Sequence, residues 1–263
     1  MIAYPGFFSK KNFLKLSKNK KAKIITSIAV FYDIPDPNNF VRDIKEILSK
    51  DGIWIMEQSY FPFLVKNNAY DSICHEHLSY FMYRQLNLIL SKHNLKVVDV
   101  KFNEMNGGSF RLFIGHSDFK RKINSKSISQ LINYEKKIFT NFSQTKKMFK
   151  KNILVSKKKL VTLLKKFKKK KQICHIYGAS TKGNVILQYC NLDKKLLPVA
   201  AERNPDKYGR YTPGTFIPII SEIESRKMSP DFYLVMPWHF KKEIISREKM
   251  YLKKGGKLIF PLP

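Results

Sequence analysis

The chain has 263 residues, of which 43% are hydrophobic and 13% aromatic, which excludes wholesale disorder and allows one large or two ordinary domains. Its formal charge is +30, but 42 of the 50 basic residues are Lys and 8 are Arg. Proteins that read phosphates and base edges favour Arg, so no nucleic-acid partner is expected. The sequence shows no signal-peptide pattern, apolar run of membrane-span length, disulfide framework or paired CxxC site, so we expect a cytoplasmic protein without a membrane span.

The first predicted elements form a strand–helix–strand unit. Residues 24–31 are apolar and predict a buried strand. Asp36-Pro37 is a turn that starts an amphipathic helix, Asp51-Gly52 then breaks the chain, and residues 53–57 predict a second buried strand. This order is typical of a parallel crossover.

A dense polar block, Cys74-His75-Glu76-His77, comes next between apolar and aromatic flanks. Histidine exchanges protons near neutral pH, and a neighbouring carboxylate can orient it and stabilise its cation. The block therefore favours acid/base chemistry or substrate contact. Structural packing or capping is an open alternative, and a metal site is a weaker one because a closed zinc site needs about four ligands.

The middle of the chain predicts a helix, a hairpin and a basic connector. The helix covers about 82–93, and Asn106-Gly107-Gly108 separates the two strands of an antiparallel hairpin. Residues 117–171 are helical in pattern and strongly basic. They predict a connector with solvated faces, and contact of residues 153–171 with a membrane surface remains open.

The last third predicts alternating strands and helices, with a glycine turn after the strand at 173–180. Gly178, Ser180 and Gly183 have the spacing G-x-G-x-x-G with Ser at the second place, and Glu202 ends the next strand. This layout indicates nucleotide or phosphate binding, and the alternative is a tight turn without a ligand. Lys182 favours an anion, because a cation at a helix N-terminus opposes the helix dipole.

A polar loop at 203–215 comes after Glu202, and His239 comes directly after the strand predicted at 231–237. Because the carboxyl ends of parallel strands share one edge of a sheet, ligands bind there. His239 is equally well explained as a helix N-terminal residue packed on Trp238. The strand predicted at 256–262 completes this second α/β unit.

Six stretches in order, HEHLSYF, NGGSFR, YGASTKGN, ERNPDKYGRYTPGTFIPI, PWHFKKEI and GGKLIFPLP, resemble the sugar C-methyltransferases that act on nucleotide-linked deoxyketosugars. The resemblance runs from about residue 20 to the C-terminus. It implies a partial class I methyltransferase sheet of Rossmann-like α/β type, joined by basic helices to a second Rossmann-like domain. The expected limits are 1–118, 119–171 and 172–263.

The resemblance also implies roles for particular residues. His77 would remove the proton beside the sugar ketone, and Glu76 and His75 would orient or hydrogen-bond. S-adenosylmethionine (SAM) would supply the methyl group. The implied contacts with SAM are Ser27, Ala29 and Glu57, and those with the sugar nucleotide are Gly178, Ser180, Lys182, Gly183, Asn184, Glu202, Lys207, Pro213, Gly214, Thr215 and His239.

The chain departs from the family pattern in its first part. The family's zinc-binding segment is absent, as are the strands that carry the glycine-rich SAM loop and the acid for the SAM ribose. Ile28, Ala29 and Asp33 stand where the family often has two Asn and a His. We therefore expect no metal site, an exposed edge at strand 24–31, and a truncated or split enzyme whose separate partner chain carries the zinc and SAM-loop segments.

Two other functions stay open on the sequence alone. A non-catalytic module that binds nucleotide-sugars would keep the glycine turn without the chemistry. An NAD(P)-binding oxidoreductase is less favoured, because Ser180 occupies the place where the backbone must approach a pyrophosphate.

Overall fold

Two α/β units make up the chain, and the computed structural model describes residues 3–120 and 123–262. The first unit comprises Met1–Phe63 and Glu76–Phe142, and the second comprises Leu64–His75 and Ser143–Pro263. The predicted α/β class is confirmed. The domain limits expected from the sequence remain predictions.

The first unit contains a four-stranded mixed sheet with the order β1-β2-β4-β3. Strands β1 and β2 are parallel, so the predicted crossover is confirmed, and β3 and β4 form the predicted antiparallel hairpin. The elements are α1 (Lys10–Leu16), β1 (Ala22–Ile28), α2 (Pro37–Ile47), β2 (Leu48–Ser59), α3 (Phe61–Lys66, which runs into the second unit), α4 (Tyr83–Lys92), β3 (Leu95–Asn103), β4 (Ser109–His116) and α5 (Ser125–Thr140).

Local sequence explains the main helix of this unit. The Asp36 carboxylate caps α2 by accepting the Asn39 amide at 3.0 Å, and proline at the first helical position fits the helix without a lost hydrogen bond. Val41, Ile44 and Ile47 recur at helical spacing and are buried. Val41 and Ile44 join a core around Trp54, which is fully buried.

Two predicted boundaries in this unit were wrong. Strand β1 ends at Ile28 and not at residue 31, because Ala29 has a φ of 54°, which an extended strand cannot contain. Asp51-Gly52 lies inside β2 and does not interrupt it, because the β1–β2 register shifts there and the strand absorbs the irregularity.

The second unit contains a parallel five-stranded sheet with the order β7-β6-β5-β8-β9. Numbered along the chain, this is the 3-2-1-4-5 order of a Rossmann-like sheet. The elements are α6 (Phe142–Lys169, whose first residue belongs to the first unit), β5 (Cys174–Tyr177), α7 (Thr181–Tyr189), β6 (Ala200–Glu202), β7 (Ile219–Ser221), α8 (Glu222–Lys227), β8 (Phe232–Val235), α9 (Lys241–Arg247), α10 (Lys249–Lys253) and β9 (Lys257–Ile259).

One strand of this sheet was missed from the sequence. Strand β7 follows the polar loop and pairs with β6. Its three residues are too few to show the alternation by which a strand is predicted. The basic helix α6 buries Leu160, Leu164 and Phe167 along one stripe and exposes its lysines. Among the described residues, no helix is both long enough and apolar enough to cross a membrane.

Candidate active site

The polar block is approached through a buried single-turn helix, Tyr70–Ser72, in the second unit. The Tyr70 hydroxyl lies 3.6 Å from the Cys190 sulfur, and its ring packs on Tyr189 with the ring centres 5.3 Å apart. Asp71 is 1% exposed, and its Oδ2 accepts the indole N–H of Trp238 at 2.8 Å. The chain therefore enters the block from a firmly packed position.

The block itself crosses from one unit to the other between His75 and Glu76. Cys74 and His77 are half-buried, whereas His75 and Glu76 are exposed. Exposed or half-exposed imidazole and carboxylate groups are open to a ligand, which acid/base chemistry requires.

Tyr32 holds His77 in the first unit through two kinds of contact. The two rings lie with their centres 4.4 Å apart at an angle of 50°. The Tyr32 carbonyl also accepts the backbone amides of Leu78 and Ser79, at 3.0 and 3.1 Å. A side chain and a backbone contact from one residue thus restrain the imidazole and the two residues after it.

Asp33 places a second carboxyl group beside the block. Burial raises the pKa of Asp33, and the nearby Glu76 carboxylate raises it further. One Asp33 oxygen is buried and has no hydrogen-bond partner among the described residues. This part of the first unit therefore offers one imidazole and two carboxyl groups, a set suited to moving protons.

The glycine turn of the second unit adopts the strand-to-helix geometry predicted for it. The Ser180 hydroxyl accepts the Gly183 amide at 3.0 Å and caps α7. Gly178 has a φ of +83°, and a Cβ on Gly183 would lie 2.8 Å from the Met236 Cβ. Both glycines are required by the turn, Gly178 by its left-handed backbone and Gly183 by close packing.

Lys182 differs from an exposed phosphate-binding lysine, because its ammonium group is buried. Burial lowers the pKa of Lys182, while the Asp71 and Cys74 side chains oppose that shift. Its Nζ is buried and has no hydrogen-bond partner among the described residues. The lysine therefore links the glycine turn electrostatically to the segment that carries the polar block.

Glu202 and Lys207 are engaged in holding the glycine turn. The Glu202 carboxylate accepts the amides of Ala179 at 2.8 Å, Arg203 at 2.8 Å and Asn204 at 3.1 Å. The Lys207 ammonium donates to the Ala179 carbonyl at 2.9 Å and lies 3.5 Å from Glu202. Burial raises the pKa of Glu202, but these amides and Lys207 outweigh it, and the pKa is lowered overall.

A cavity of about 380 Å³ in the second unit joins the block to the predicted sugar-nucleotide residues. Cys74 and His75 line it together with Asn184 of α7 and Pro213 of the polar loop. The remaining lining residues are Ile73, Thr181, Val185, Gln188 and Tyr189. The fold thus brings together residues more than a hundred positions apart that were selected separately from the sequence.

The polar loop is stabilised by its own threonines and by α7. The hydroxyls of Thr212 and Thr215 lie 2.7 Å apart, and the Gln188 amide donates to the Pro213 carbonyl at 3.0 Å. Gly214 has a φ of +71°.

His239 follows β8 in the second unit, with its ring centre 4.4 Å from that of Phe240. Burial lowers the pKa of His239 to about 4, with a further contribution from Lys182. A histidine in this state is neutral near pH 7 and suits hydrogen bonding more than charge recognition.

The predicted SAM-contacting side chains of the first unit already have partners. The Ser27 hydroxyl accepts the Trp54 indole N–H at 2.9 Å and is 8% exposed. The Glu57 carboxylate is paired with the Arg111 guanidinium at 2.6 Å. Ala29 offers no polar side chain, and its amide donates to the Glu57 carbonyl at 2.8 Å.

Metal ligands were a weaker alternative for the block. Among residues 3–120 and 123–262, no group of three or more His, Cys, Asp or Glu side chains is placed to hold a metal ion. Cys174 and Cys190 are buried, and burial raises the pKa of Cys174 to about 12.

Comparison with protein families decides the class of the chain. The model of the C-methyltransferase C-terminal domain family matches residues 104–263. The chain belongs to this family. A general methyltransferase domain model matches residues 6–100, and the resemblance found from the six motifs is confirmed at the level of the C-methyltransferase family.

A curated relative supports the same assignment. The chain is 29% identical over 242 residues to the C-methyltransferase NovU of Streptomyces niveus. The match covers 92% of this chain and 57% of that protein. The chain therefore corresponds to somewhat more than half of this relative's length.

Similarities to solved structures are weak. A Haloferax volcanii complex of the Trm112 methyltransferase activator with a methyltransferase aligns at a TM-score of 0.32 and 13% identity, over 37% of this chain and 55% of the other. A complex of M1.HpyAVI with SAM aligns at 0.28 and 12%, over 43% and 53%. Scores this low add nothing to the assignment.

Several residues at the site were missed from the sequence. Asp71 was detectable as a lone acid in the run AYDSIC, and Gln188 as a polar residue facing the predicted loop from α7. Tyr32 gave no signal, because its contact with His77 joins positions 45 residues apart that nothing in the pattern connects.

Proposed function

We propose that this chain carries the proton-abstracting part of a SAM-dependent C-methyltransferase that acts on a nucleotide-linked ketosugar. The observation that carries the proposal is the shared cavity of the second unit, where Cys74 and His75 meet Asn184 and Pro213. Membership of the C-methyltransferase family supports the reaction class. The substrate class, a nucleotide-linked ketosugar, is inferred from the resemblance of the sequence motifs.

In this proposal His77 is the base. Its imidazole takes the proton from the carbon beside the ketone, so that the C–H bond breaks, an N–H bond forms and the electron pair moves to the carbonyl oxygen as an enolate. Contact with the Tyr32 ring supports the role, because it restrains the imidazole before the substrate binds. Glu76 and His75 orient the imidazole or hydrogen-bond to the sugar.

The nucleotide part would bind in the second unit. The diphosphate would lie at the start of α7, because the N-terminus of a helix attracts anions, with Gly178, Ser180 and Gly183 shaping the approach. Lys182 would contribute positive charge from its buried position. Asn184, Pro213, Gly214, Thr215 and His239 would contact the rest of the ligand, and Glu202 and Lys207 would act by holding the turn.

The first unit does not fit SAM through the residues predicted for it. Ser27 and Glu57 already contact Trp54 and Arg111 within the first unit, so both side chains are committed to structural contacts. The contribution we assign to this chain is therefore deprotonation. The methyl donor's main contacts would come from a partner segment that carries the family's zinc-binding and SAM-loop parts.

The edge of the first sheet supports such a partner. Strand β1 pairs with β2 on one side and lies at the end of the strand order. Ile24 and Ile28 of this edge strand are 68% and 58% exposed. Exposed apolar edge strands recruit additional strands, so β1 is a suitable docking point.

Deuterium incorporation tests the base without a methyl donor. The purified chain is incubated in D₂O with a dTDP-linked 4-ketosugar, and mass spectrometry measures incorporation at carbon. We expect enzyme-dependent incorporation above the spontaneous rate, lost in His77→Ala and kept in His116→Ala, a histidine on β4 of the same unit. Binding of the sugar nucleotide without incorporation would replace the proposal with a non-catalytic binding module.

Co-expression tests the complete reaction. The chain is produced with a candidate partner that contains paired CxxC motifs and a glycine-rich SAM loop. Mass spectrometry of the sugar-nucleotide product then measures the gain of one methyl group. His77→Ala should abolish the gain and leave SAM binding intact. Micromolar SAM binding by this chain alone would contradict the assignment of SAM to a partner, and preferential binding of NAD(H) would favour an oxidoreductase domain.

A further inference from the structure

One buried carboxylate anchors the segment that leads into the polar block. Asp71 is 1% exposed, and its Oδ2 accepts the Trp238 indole N–H at 2.8 Å across 167 positions of sequence. Trp238 is itself 6% exposed. Both residues belong to the second unit, and Asp71 lies three positions before Cys74.

A buried cation also interacts electrostatically with this carboxylate. Asp71 Oδ1 and Lys182 Nζ are both buried, and neither has a hydrogen-bond partner among the described residues. The two charges interact, since Lys182 lowers the pKa of Asp71 and Asp71 raises that of Lys182, each against a larger opposite effect of burial. Asp71, Lys182, Cys74 and His239 are the titratable groups coupled at this place.

Packing alone does not require these charges. Tyr70 already fixes the short helix through Tyr189 and Cys190, and burying a carboxylate and an ammonium costs free energy that an apolar pair avoids. A buried acid that accepts a directional hydrogen bond and interacts with a cation depends on where both partners lie, which apolar contact does not require. The pair is therefore suited to placing the chain segment on the C-terminal side of Asp71.

We propose that Asp71 is a positioning residue that fixes the segment from Ile73 to His75 by binding Trp238 and by its charge interaction with Lys182. The proposal rests on the proposed function of the cavity that Cys74 and His75 line. Asp71 itself would touch no reacting atom. It determines where Cys74 and His75 line the cavity.

Three variants separate the two interactions of Asp71, which are the hydrogen bond with Trp238 and the charge interaction with Lys182. Asp71→Ala removes both interactions. Asp71→Asn keeps an oxygen that accepts the Trp238 N–H but loses the charge that interacts with Lys182. Trp238→Phe removes the donor and keeps the charge. The matched control is Glu248→Gln, a 2% exposed acid of the second unit that bonds to Tyr177 and Arg226, away from this segment.

Hydrogen–deuterium exchange and histidine NMR measure the placement on the purified chain. In Asp71→Ala we expect amides 73–75 to exchange about tenfold faster or more, with α7 and β5 unchanged. The imidazole resonance of His75 should shift, while those of His93 and His116 stay. Asp71→Asn and Trp238→Phe should give intermediate effects on the same amides, and Glu248→Gln none there.

Two results would overturn the proposal. Unchanged exchange at 73–75 and an unchanged His75 resonance in a folded Asp71 variant would show that the carboxylate positions nothing. Faster exchange spread evenly over the second unit would show a general stabilising role. If Asp71→Ala does not fold, Asp71→Asn and Trp238→Phe decide in the same way.

Kinetics separate this proposal from the function on which it rests. In deuterium incorporation, Asp71→Asn should raise KM for the sugar nucleotide about tenfold and leave kcat near that of the unaltered chain, because Cys74 and His75 line the proposed binding cavity while Tyr32 restrains His77. An unchanged KM would contradict the positioning role. Absence of incorporation by the unaltered chain would contradict the base, while exchange at 73–75 would still decide the anchor.

Discussion

The ring of His77 lies on the ring of Tyr32, with the ring centres 4.4 Å apart and the planes inclined by 50°. Tyr32 is 7% exposed, and its carbonyl accepts the amides of Leu78 and Ser79. The proposed base is therefore restrained by a core residue of the first unit. Loss of the tyrosine ring should loosen the imidazole without releasing the backbone beside it.

Tyr32→Leu should slow deuterium incorporation into the ketosugar by about 2- to 10-fold, because ring contacts of this kind are worth about 0.5–1.5 kcal/mol. The carbonyl contacts with Leu78 and Ser79 survive the change. Phe31→Leu is the matched control, since Phe31 is 1% exposed in the same core and packs on Phe81 and Trp54. Equal rates in the two variants would mean that core loosening, and not loss of the His77 contact, sets the effect.

Gly178→Ala should destabilise the second unit more than Gly209→Ala does. Both glycines have positive φ, +83° and +74°, so both substitutions carry a left-handed penalty of about 1–2 kcal/mol. An added Cβ at Gly178 lies 3.0 Å from Pro237, whereas nothing lies within 4 Å of one at Gly209. Urea unfolding compares the two stabilities, and calorimetry with dTDP should show weaker binding for Gly178→Ala alone.

Glu202→Gln should destabilise the second unit by about 2 kcal/mol near pH 7, because charge-assisted bonds to backbone amides are weakened. The folded-state pKa of Glu202 lies below its ordinary value, so its contribution is present above that ordinary value and is lost as the pH falls through the lowered one. The variant should therefore lose less stability than the unaltered chain between about pH 5 and pH 3. Urea titrations across this range measure the difference.

Asp206→Asn provides the control for Glu202→Gln. Asp206 is an exposed acid in the same loop, and its backbone amide, not its carboxylate, makes the local hydrogen bond to Asn204. It should leave stability near pH 7 within about 0.5 kcal/mol. If Glu202→Gln behaves like this control, the carboxylate does not hold the glycine turn.

Ile24→Lys should reduce self-association of the isolated chain and weaken capture of a SAM-loop partner. Ile24 is 68% exposed on the edge strand β1, and a charge there opposes the addition of another strand. Sedimentation velocity measures the self-association. Leu88→Lys, at a 62% exposed position on α4 of the same unit, should have no such effect, and equal effects would assign association to general surface hydrophobicity.

Much of the fold could be predicted because it depends on local pattern. The crossover from β1 to β2, the hairpin around Asn106 and the glycine turn before α7 all result from apolar periodicity and turn residues. The boundary at Ala29 could not be predicted, since alanine rarely adopts a positive φ. Strand β7 was missed because pairing with β6, and not its own three residues, makes it a strand.

The candidate site also combines features that the sequence predicts with features that depend on tertiary contacts. The sequence alone determined which groups are available, from the imidazoles and carboxylate of the block to the glycines of the turn, because residue type sets proton chemistry and backbone freedom. The tertiary structure decided what those groups meet. It set Asp71 against Trp238, engaged Glu202 and Glu57, and placed Cys74 beside Asn184, because such contacts arise from packing between elements far apart in the chain.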